Sequence, residues 1–585
     1  EAQEGRMFSP LAFTKTYAMA ASAVLAVTLI PVLMGYLIRG QVRPESENPL
    51  NRLLARAYAP LLNGVLRYPR ATAAMALAVT VMGFWPVARI GSEFIPPLDE
   101  GDLMYMPTTY PGLSIGKARE LLQQTDRLIA TVPEVETVFG KIGRADSATD
   151  PAPLTMLETF IQLKPKREWR EGMTTEDLIR ELDALVKIPG LTNAWVMPIK
   201  TRIDMLATGI KTPVGIKVAG PDLNQIQRIG QQLETILQTV PGTASVYSER
   251  VAGGRYIEVE IDRSRAARYG LNVTDVQQVV ATAIGGMNVT WSVEGLERYP
   301  VNLRYPQDYR DSPEQLAGLP VITPDGQRIA LADVARIAIT DGPPAIKSEN
   351  ARPNGWTFVD IDVGDVGSYV ARAMASVNDS LKLPAGYSLT WSGQYEYMLR
   401  AQERLTYVVP FILAIVIVLL YVNFRRLGEV AMILATLPLA GAGAIWLLFL
   451  LSYNFSVAVA VGFIALAGVA VELGVIMLTY LNQAWDRIRC AHHDQGRQAT
   501  AADLRAAIQD GALRRVRPVT MTAVSTIAGL LPLMYSGGTG AEVLSRIAAP
   551  MVGGMTTALL LALLVLPAVF FLCKRRGLKS EQRDG

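Results

Sequence analysis

Glu472 is the only charged side chain between Glu429 and Asp486, and the residues around it are apolar or small in both directions. A carboxyl group in such a setting must be neutral, paired or open to water, and an ionisable group inside a membrane marks a functional site by default. A group that gains and loses a proton there can couple proton flow to work. The second chemistry is that of sulfur. The polar block from about Gly91 to Arg404 contains no His and no Cys: His492, His493, Cys490 and Cys573 all lie elsewhere. A zinc site of the Cys/His type therefore cannot be assembled in that block. Its soft donors are the thioethers of Met104, Met106, Met156, Met173, Met197, Met205, Met287, Met374 and Met398. Thioether sulfur is neutral and polarizable, and it suits Cu(I), and by the same softness Ag(I), over Zn or Mg. No proton has to leave such a ligand before it binds. Methionine is also an ordinary core filler, so composition alone does not single out which of the nine would hold an ion.

These groups need a membrane and a scaffold to position them. The 585-residue chain is 50% hydrophobic with a mean hydropathy of +0.24, which points to several domains and to membrane-type sequence. Apolar stretches at Tyr17–Ile38, Ala71–Val87, Leu405–Phe424, Val430–Leu451, Val457–Leu481, Val519–Tyr535 and Ile547–Leu572 are long enough, or nearly so, to cross ~30 Å of hydrocarbon as helices. Arg-rich segments flank them: Arg39 to Arg70, Arg425-Arg426, Arg487 to Arg517, and Lys574-Arg575-Arg576. All of these fall on one side if the spans alternate, and the positive-inside rule makes that side cytoplasmic. The polar block is then extracytoplasmic. Thr500 and Asp503 read as the start of a short surface helix ending near Arg517. A net charge of +3 creates no global field for nucleic acid, and two cysteines make no disulfide framework. Neither a nucleotide-binding loop nor a catalytic triad is visible, so an enzyme or an ATP-driven machine is not expected. The chain opens Glu-Ala-Gln-Glu-Gly-Arg, without initiator Met or signal peptide, and is expected to be the C-terminal portion of a longer protein.

The polar block contains an internal duplication. Thr131-Val132-Pro133 before Val138-Phe139 is echoed by Thr239-Val240-Pro241 before Val246-Tyr247. Helices are expected from Ser114, with Ala118, Leu121, Leu122, Leu128 and Ile129 on one face, and from Asp222, with Ile226, Ile229, Leu233, Ile236 and Leu237. Strand patterns flank both. The expected fold class is an α+β membrane protein: a seven-helix transmembrane bundle with two ferredoxin-like βαββαβ modules. The expected boundaries are 1–91 for the first two spans, 92–211 for the first module, and 212–262 with 346–400 for the second. An insert occupies 263–345, with a helix Thr274–Ile284 and a turn at Thr323-Pro324-Asp325-Gly326, and 401–585 holds five further spans.

This organisation resembles the second half of a resistance–nodulation–division (RND) efflux transporter. Phe8-Ser9-Pro10-Leu11-Ala12-Phe13-Thr14, Asp99-Glu100-Gly101-Asp102, Asn302-Leu303-Arg304-Tyr305-Pro306 and Arg546-Ile547-Ala548-Ala549-Pro550-Met551 resemble its heavy-metal efflux branch. Tyr105-Met106-Pro107 and Arg202-Ile203-Asp204-Met205-Leu206 resemble the copper/silver pumps of the CusA type. The resemblance implies a trimeric inner-membrane proton antiporter, with no cofactor, that works with a periplasmic adaptor and an outer-membrane channel and docks through the insert. Met106, Met156 and Met205 match the family's three-methionine ion site. Glu100, Asp102, Asp150, Glu158, Arg202 and Lys211 match charged residues lining the cleft around it, and Glu472 matches the family's proton-relay acid, whose partner acid lies in the missing half. On the residues alone, Met106 is expected in the first strand, Met156 at the start of a strand Thr155–Leu163, and Met205 after the last strand of the first module. Two departures stand out. Val519 follows Arg517-Pro518 where some copper/silver pumps carry Lys, and Leu544 and Asn288 stand where relatives carry methionines. Alternatives are an RND exporter of divalent metals or drugs, or a non-transporting membrane sensor with the same fold; for Glu472 itself the alternative is a structural acid, held neutral or hydrogen-bonded by Thr522, Ser525 and Thr526.

Overall fold

Residue 102 begins the first strand of a four-stranded antiparallel sheet. The computed structural model describes residues 2–38, 49–96, 98–143, 153–362, 364–494 and 497–584. The first sheet unit runs β1 (Asp102–Tyr105), α1 (Ile115–Ile129), β2 (Val135–Lys141), β3 (Glu158–Leu163), α2 (Thr175–Leu185), β4 (Trp195–Val196), with spatial order β2-β3-β1-β4. A helix α3 (Pro198–Thr208) leads out of it. The second unit repeats the plan with β5 (Val214–Ala219), α4 (Leu223–Leu237), β6 (Thr243–Ser248), β7 (Arg352–Ile361), α5 (Val366–Ser380), β8 (Ser388–Gly393), in the order β6-β7-β5-β8. In both units the strands read second, third, first, fourth. Interleaving of this kind packs two helices on one sheet face and gives each unit its own core. Leu103, Tyr105 and Ile161 meet Ile129, Leu178 and Leu182 in the first. Val214, Ile216 and Val218 meet Ile226, Ile229, Leu233, Tyr369 and Val370 in the second.

Local sequence explains the helix starts. Ser114 accepts from Lys117 N–H and Asp222 from Asn224 N–H, each satisfying a donor that the first turn leaves open. The duplicated Thr-Val-Pro ends its helix by the same bonds twice. Thr131 Oγ1 donates to Leu128 O and Thr239 Oγ1 to Ile236 O, both at 2.7 Å. Between β6 and β7 the chain makes an excursion on a two-stranded stalk, Gly254–Ile261 paired with Ala335–Gly342. Its helix spans Val273–Val280 and widens into a π turn through Gly285. Thr323 O accepts from Gly326 N–H in the expected turn, and Gly326 takes φ +80° there.

Among the described residues, seven helices are long and apolar enough to cross a membrane: Phe8–Val27, Pro69–Arg89, Gln394–Phe424, Leu427–Leu450, Val457–His493, Ala501–Met534 and Ala541–Arg576. Three are labelled here: α6 (Val457–Asp494), α7 (Ala501–Met534) and α8 (Ala541–Leu560). The expected surface helix from Thr500 is not separate. Its capping box forms, but α7 runs on through Pro518 into the sixth span. The reason is packing: Leu504, Ile508, Ala512, Val516, Val519 and Ala523 make one buried stripe across the proline. Glycines let α8 approach its neighbours closely. A Cβ on Gly443 would stand 2.6 Å from Gly553 O, and one on Gly462 2.5 Å from Pro550 Cγ. Helix Thr436–Leu450, α6 and α8 thus pack backbone against backbone.

Candidate functional site

Met106 lies one residue past β1, not within it, and its N–H donates to Ala194 O at 2.9 Å. The sheet ends there because Pro107 has no N–H to continue the ladder. Met156 lies two residues before β3 rather than in it; Pro153 turns the chain, and Met156 N–H bonds back to Pro153 O at 3.0 Å. The two methionine segments nevertheless touch. Thr108 and Met156 form an antiparallel bridge, and Leu157 N–H donates to Pro107 O at 3.3 Å. Met205 sits inside α3, after β4. Met106 is fully buried, whereas Met156 and Met205 are half-buried.

The charged residues fall into separate roles. Glu158 is buried at the start of β3, with Oε2 bonded to Lys141 at 2.9 Å and to Arg202 at 3.2 Å. Arg202 precedes Met205 by one helical turn on the same side of α3, so this ion pair ties the Met205 helix to the strand beside Met156. The other oxygen, Glu158 Oε1, is buried with no hydrogen-bond partner among the described residues. A buried carboxylate oxygen left open is costly, and a hydrogen-bond donor or a cation would satisfy it. Lys211 is buried beneath Met106, and its ammonium donates to Met106 O at 2.8 Å and to Thr108 Oγ1 at 2.6 Å. Burial pulls its pKa down to about 8. Glu100 accepts from Ile199 and Lys200 N–H at 2.7 and 2.8 Å, so it holds the N-terminus of α3. Asp102 is exposed and accepts from Leu163 N–H across β1 and β3. Asp150 lies outside the described residues.

Two contributors are not evident from sequence. Gly209 closes α3 with φ +80°, and a Cβ there would stand 2.3 Å from the Trp356 ring on β7. Asp360, also on β7, feels the Lys211 charge, and burial pushes its carboxyl up to about 6. Thr108 carried a faint signal: it stands two residues after Met106, the spacing that returns an extended chain to the same face.

Glu472 lies on the outward side of α6 with Ile464 and Gly468, and forms no hydrogen bond or ion pair among the described residues. Thr522, Ser525 and Thr526 do not hold it. Their hydroxyls donate to Pro518 O and, twice, Thr522 O on their own helix.

Seven helices able to span a membrane among the described residues, joined to a duplicated sheet unit, with methionine-bearing segments in one part and a lone acid in the other, have the build of a membrane transporter. The sequence pattern of the AcrB/AcrD/AcrF family matches residues 1–574, and the chain belongs to that RND family. It is 52% identical over 570 residues to the cation efflux system protein CusA of Escherichia coli (strain K12), covering 97% of this chain and 54% of that one. It is 51% identical to the putative cation efflux system protein SilA of Salmonella typhimurium, covering 99% and 55%. The X-ray structure of a heavy metal efflux pump superposes with a TM-score of 0.83 at 30% identity, over 97% of this chain and 55% of that one. The chain thus spans about half the length of the curated relatives it matches.

Proposed function

We propose that this chain is the C-terminal portion of an inner-membrane RND efflux pump that exports monovalent copper or silver by proton antiport. Met106, Met156 and Met205 hold the ion, and the two sheet units are ferredoxin-like porter modules on the periplasmic side. The observation that carries the reading is the meeting of the three methionine-bearing segments at one end of the first sheet. The Thr108–Met156 bridge joins two of them and the Arg202–Glu158 pair brings in the third, beside a buried carboxylate oxygen without a partner. Neutral thioethers fit a soft ion that must be released as well as caught. The relatives' names, cation efflux system proteins, agree with a cation as cargo.

In this reading Glu472 takes up and releases the protons that drive export, with a partner acid from the other half of the pump facing its open side. The pump works as a homotrimer with a periplasmic adaptor and an outer-membrane channel, and the excursion at about 263–345 is the docking element. The test is an Ag(I) titration of the full-length pump with Met106, Met156 and Met205 all changed to Leu. Leu conserves volume, at a cost of under ~1.5 kcal/mol per site. Ag(I) affinity is expected to fall at least tenfold; unchanged affinity would remove the cargo assignment.

A further inference from the structure

The segment Gly91–Ile95 leaves the second membrane helix and runs toward β1, and it is gripped by the membrane helices on its way. Phe455, in the turn before α6, donates its N–H to Gly91 O at 2.8 Å and accepts from Glu93 N–H at 3.0 Å, with Ser92 and Phe455 in a parallel bridge. The N–H of Val457, the first residue of α6, bonds to Phe94 O. Side chains lock this grip. Glu93 is only 5% exposed, and its two oxygens accept from Arg546 of α8 at 3.3 Å and Asn454 at 3.2 Å. The second sheet unit is tied in as well: Asp365, the N-cap of α5, accepts from Ser92 N–H at 2.9 Å. The packing leaves no slack, since a Cβ on Gly91 would lie 2.6 Å from Asp365 Cγ and 2.7 Å from Asn454 Oδ1.

A buried ion pair is a poor way to gain stability, because well-packed apolar groups of the same volume often do as well or better. Burial pushes the Glu93 carboxyl above the usual carboxylate range even with Arg546 and Asn454 upon it, so the charge is held against its own desolvation. What the pair does provide is a fixed geometry among three elements. Those elements are the ones that must move together. Glu472 lies fifteen residues along α6 from Val457, about 22 Å of helix, and β1 begins nine residues after Glu93. At Gly462 α6 lies against the α8 backbone, where a Cβ would stand 2.5 Å from Ile547 O.

We propose that Glu93 and Arg546 are positioning residues of a joint that passes displacement of the membrane helices carrying Glu472 to the strand leading to Met106. The proposal rests on the exporter reading above. The joint keeps the ends of α6 and α8 and the 91–95 segment in one register, so that a shift started at Glu472 arrives at β1 instead of being lost in a loose loop. Neither residue touches the ion.

The experiment uses the full-length pump with Glu93→Gln, Arg546→Gln and the exchange pair Glu93→Arg with Arg546→Glu. Ag(I) affinity of the purified protein and pH-gradient-driven Ag(I) flux into proteoliposomes are measured. Each single variant is expected to bind Ag(I) within twofold of the parent while the maximal flux falls at least tenfold, and the exchange pair is expected to recover a third or more of it. Parental flux in the single variants, or flux lost together with binding, overturns the joint; the second result marks a merely structural role. A second measurement does not depend on the cargo. Glu472→Gln is expected to change amide hydrogen exchange across residues 102–109 in the parent and not in the Glu93→Gln background. No change in the parent, or the same change in both, overturns the joint too. A parent that exchanges as expected yet binds no Ag(I) counts against the cargo alone.

Discussion

Lys211→Met tests whether the ammonium beneath Met106 is truly cut off from water. Two effects oppose each other. The fall in pKa from 10.5 to about 8, at ~1.4 kcal/mol per factor of ten, puts the cost of keeping the charge at about 3 kcal/mol. Against it stand the two charge-assisted bonds to Met106 O and Thr108 Oγ1, whose loss strands buried acceptors at about 1–3 kcal/mol each. At pH 7 these nearly cancel, and the variant is expected within about 2 kcal/mol of the parent. The pH dependence does not cancel. Below pH 8 both folded and unfolded chains carry the proton, so the penalty is present in full. Between about 8 and 10.5 the folded protein has lost it while the unfolded chain keeps it, and stability rises with pH. The parent is therefore expected to gain about 3 kcal/mol on the variant across that window, roughly 6–12 °C in melting temperature for a unit of this size. Paired thermal melts of the detergent-solubilised protein, followed by tryptophan fluorescence at pH 7.5, 9 and 10.5, read the difference, and groups common to both cancel. A parent-minus-variant difference that stays flat with pH would show that water reaches Lys211 and that the reasoning about its burial is wrong.

Gly209→Ala places a Cβ at φ +80° and against Trp356, so a loss of about 2–4 kcal/mol and at least tenfold weaker Ag(I) binding are expected, because the end of the Met205 helix must shift; a melt and a titration check both. Thr500→Ala removes the hydroxyl that accepts from Asp503 N–H, at a cost of about 1 kcal/mol in the melt; Ag(I) binding stays unchanged, since this end of α7 is remote from the sheets. Glu472→Gln keeps Ag(I) affinity within twofold and abolishes silver tolerance in a growth assay, whereas a sensor without a titrating acid would survive it.

Much of the scaffold could be read from residue order because its signals are local. Ser114 and Asp222 announce their helices by side-chain oxygens placed to meet open N–H groups, and the Thr-Val-Pro echo marks two helix ends that are closed by the same bonds. Apolar runs disclose the spans but not their ends: α7 was expected to break at Pro518, and only the packing of Val516 and Val519 into one stripe carries it through. The candidate residues could be named from sequence, but not their placement. Nothing local says how the Met106 and Met156 segments meet just outside their strands, since Pro107 O accepts from Leu157 N–H, fifty residues on. The pinning role of Lys211 was hidden for the same reason: its partners precede it by 105 and 103 residues. Nor could sequence show that Glu100 accepts from two N–H groups at the N-terminus of α3.

The charges gathered at the methionines bear on which ion they suit. At that end of the sheet Glu158 Oε2 is bound by two cations, Lys141 and Arg202, and the Lys211 ammonium lies directly below Met106. Thioethers add no negative charge. In the proposed site an entering cation would meet a setting that does little to neutralise it, and at fixed distance the Coulomb penalty for a divalent ion is twice that for a monovalent one. A divalent metal would also forfeit a larger hydration energy to ligands that return less, whereas a soft monovalent ion recovers its losses through sulfur. The charge of Glu158 is already matched by Lys141 and Arg202, so its open oxygen offers an entering cation a ligand but no spare negative charge. In the proposed site charge and softness would thus select in the same direction, and weak neutralisation would disfavour a divalent ion and ease release of a monovalent one.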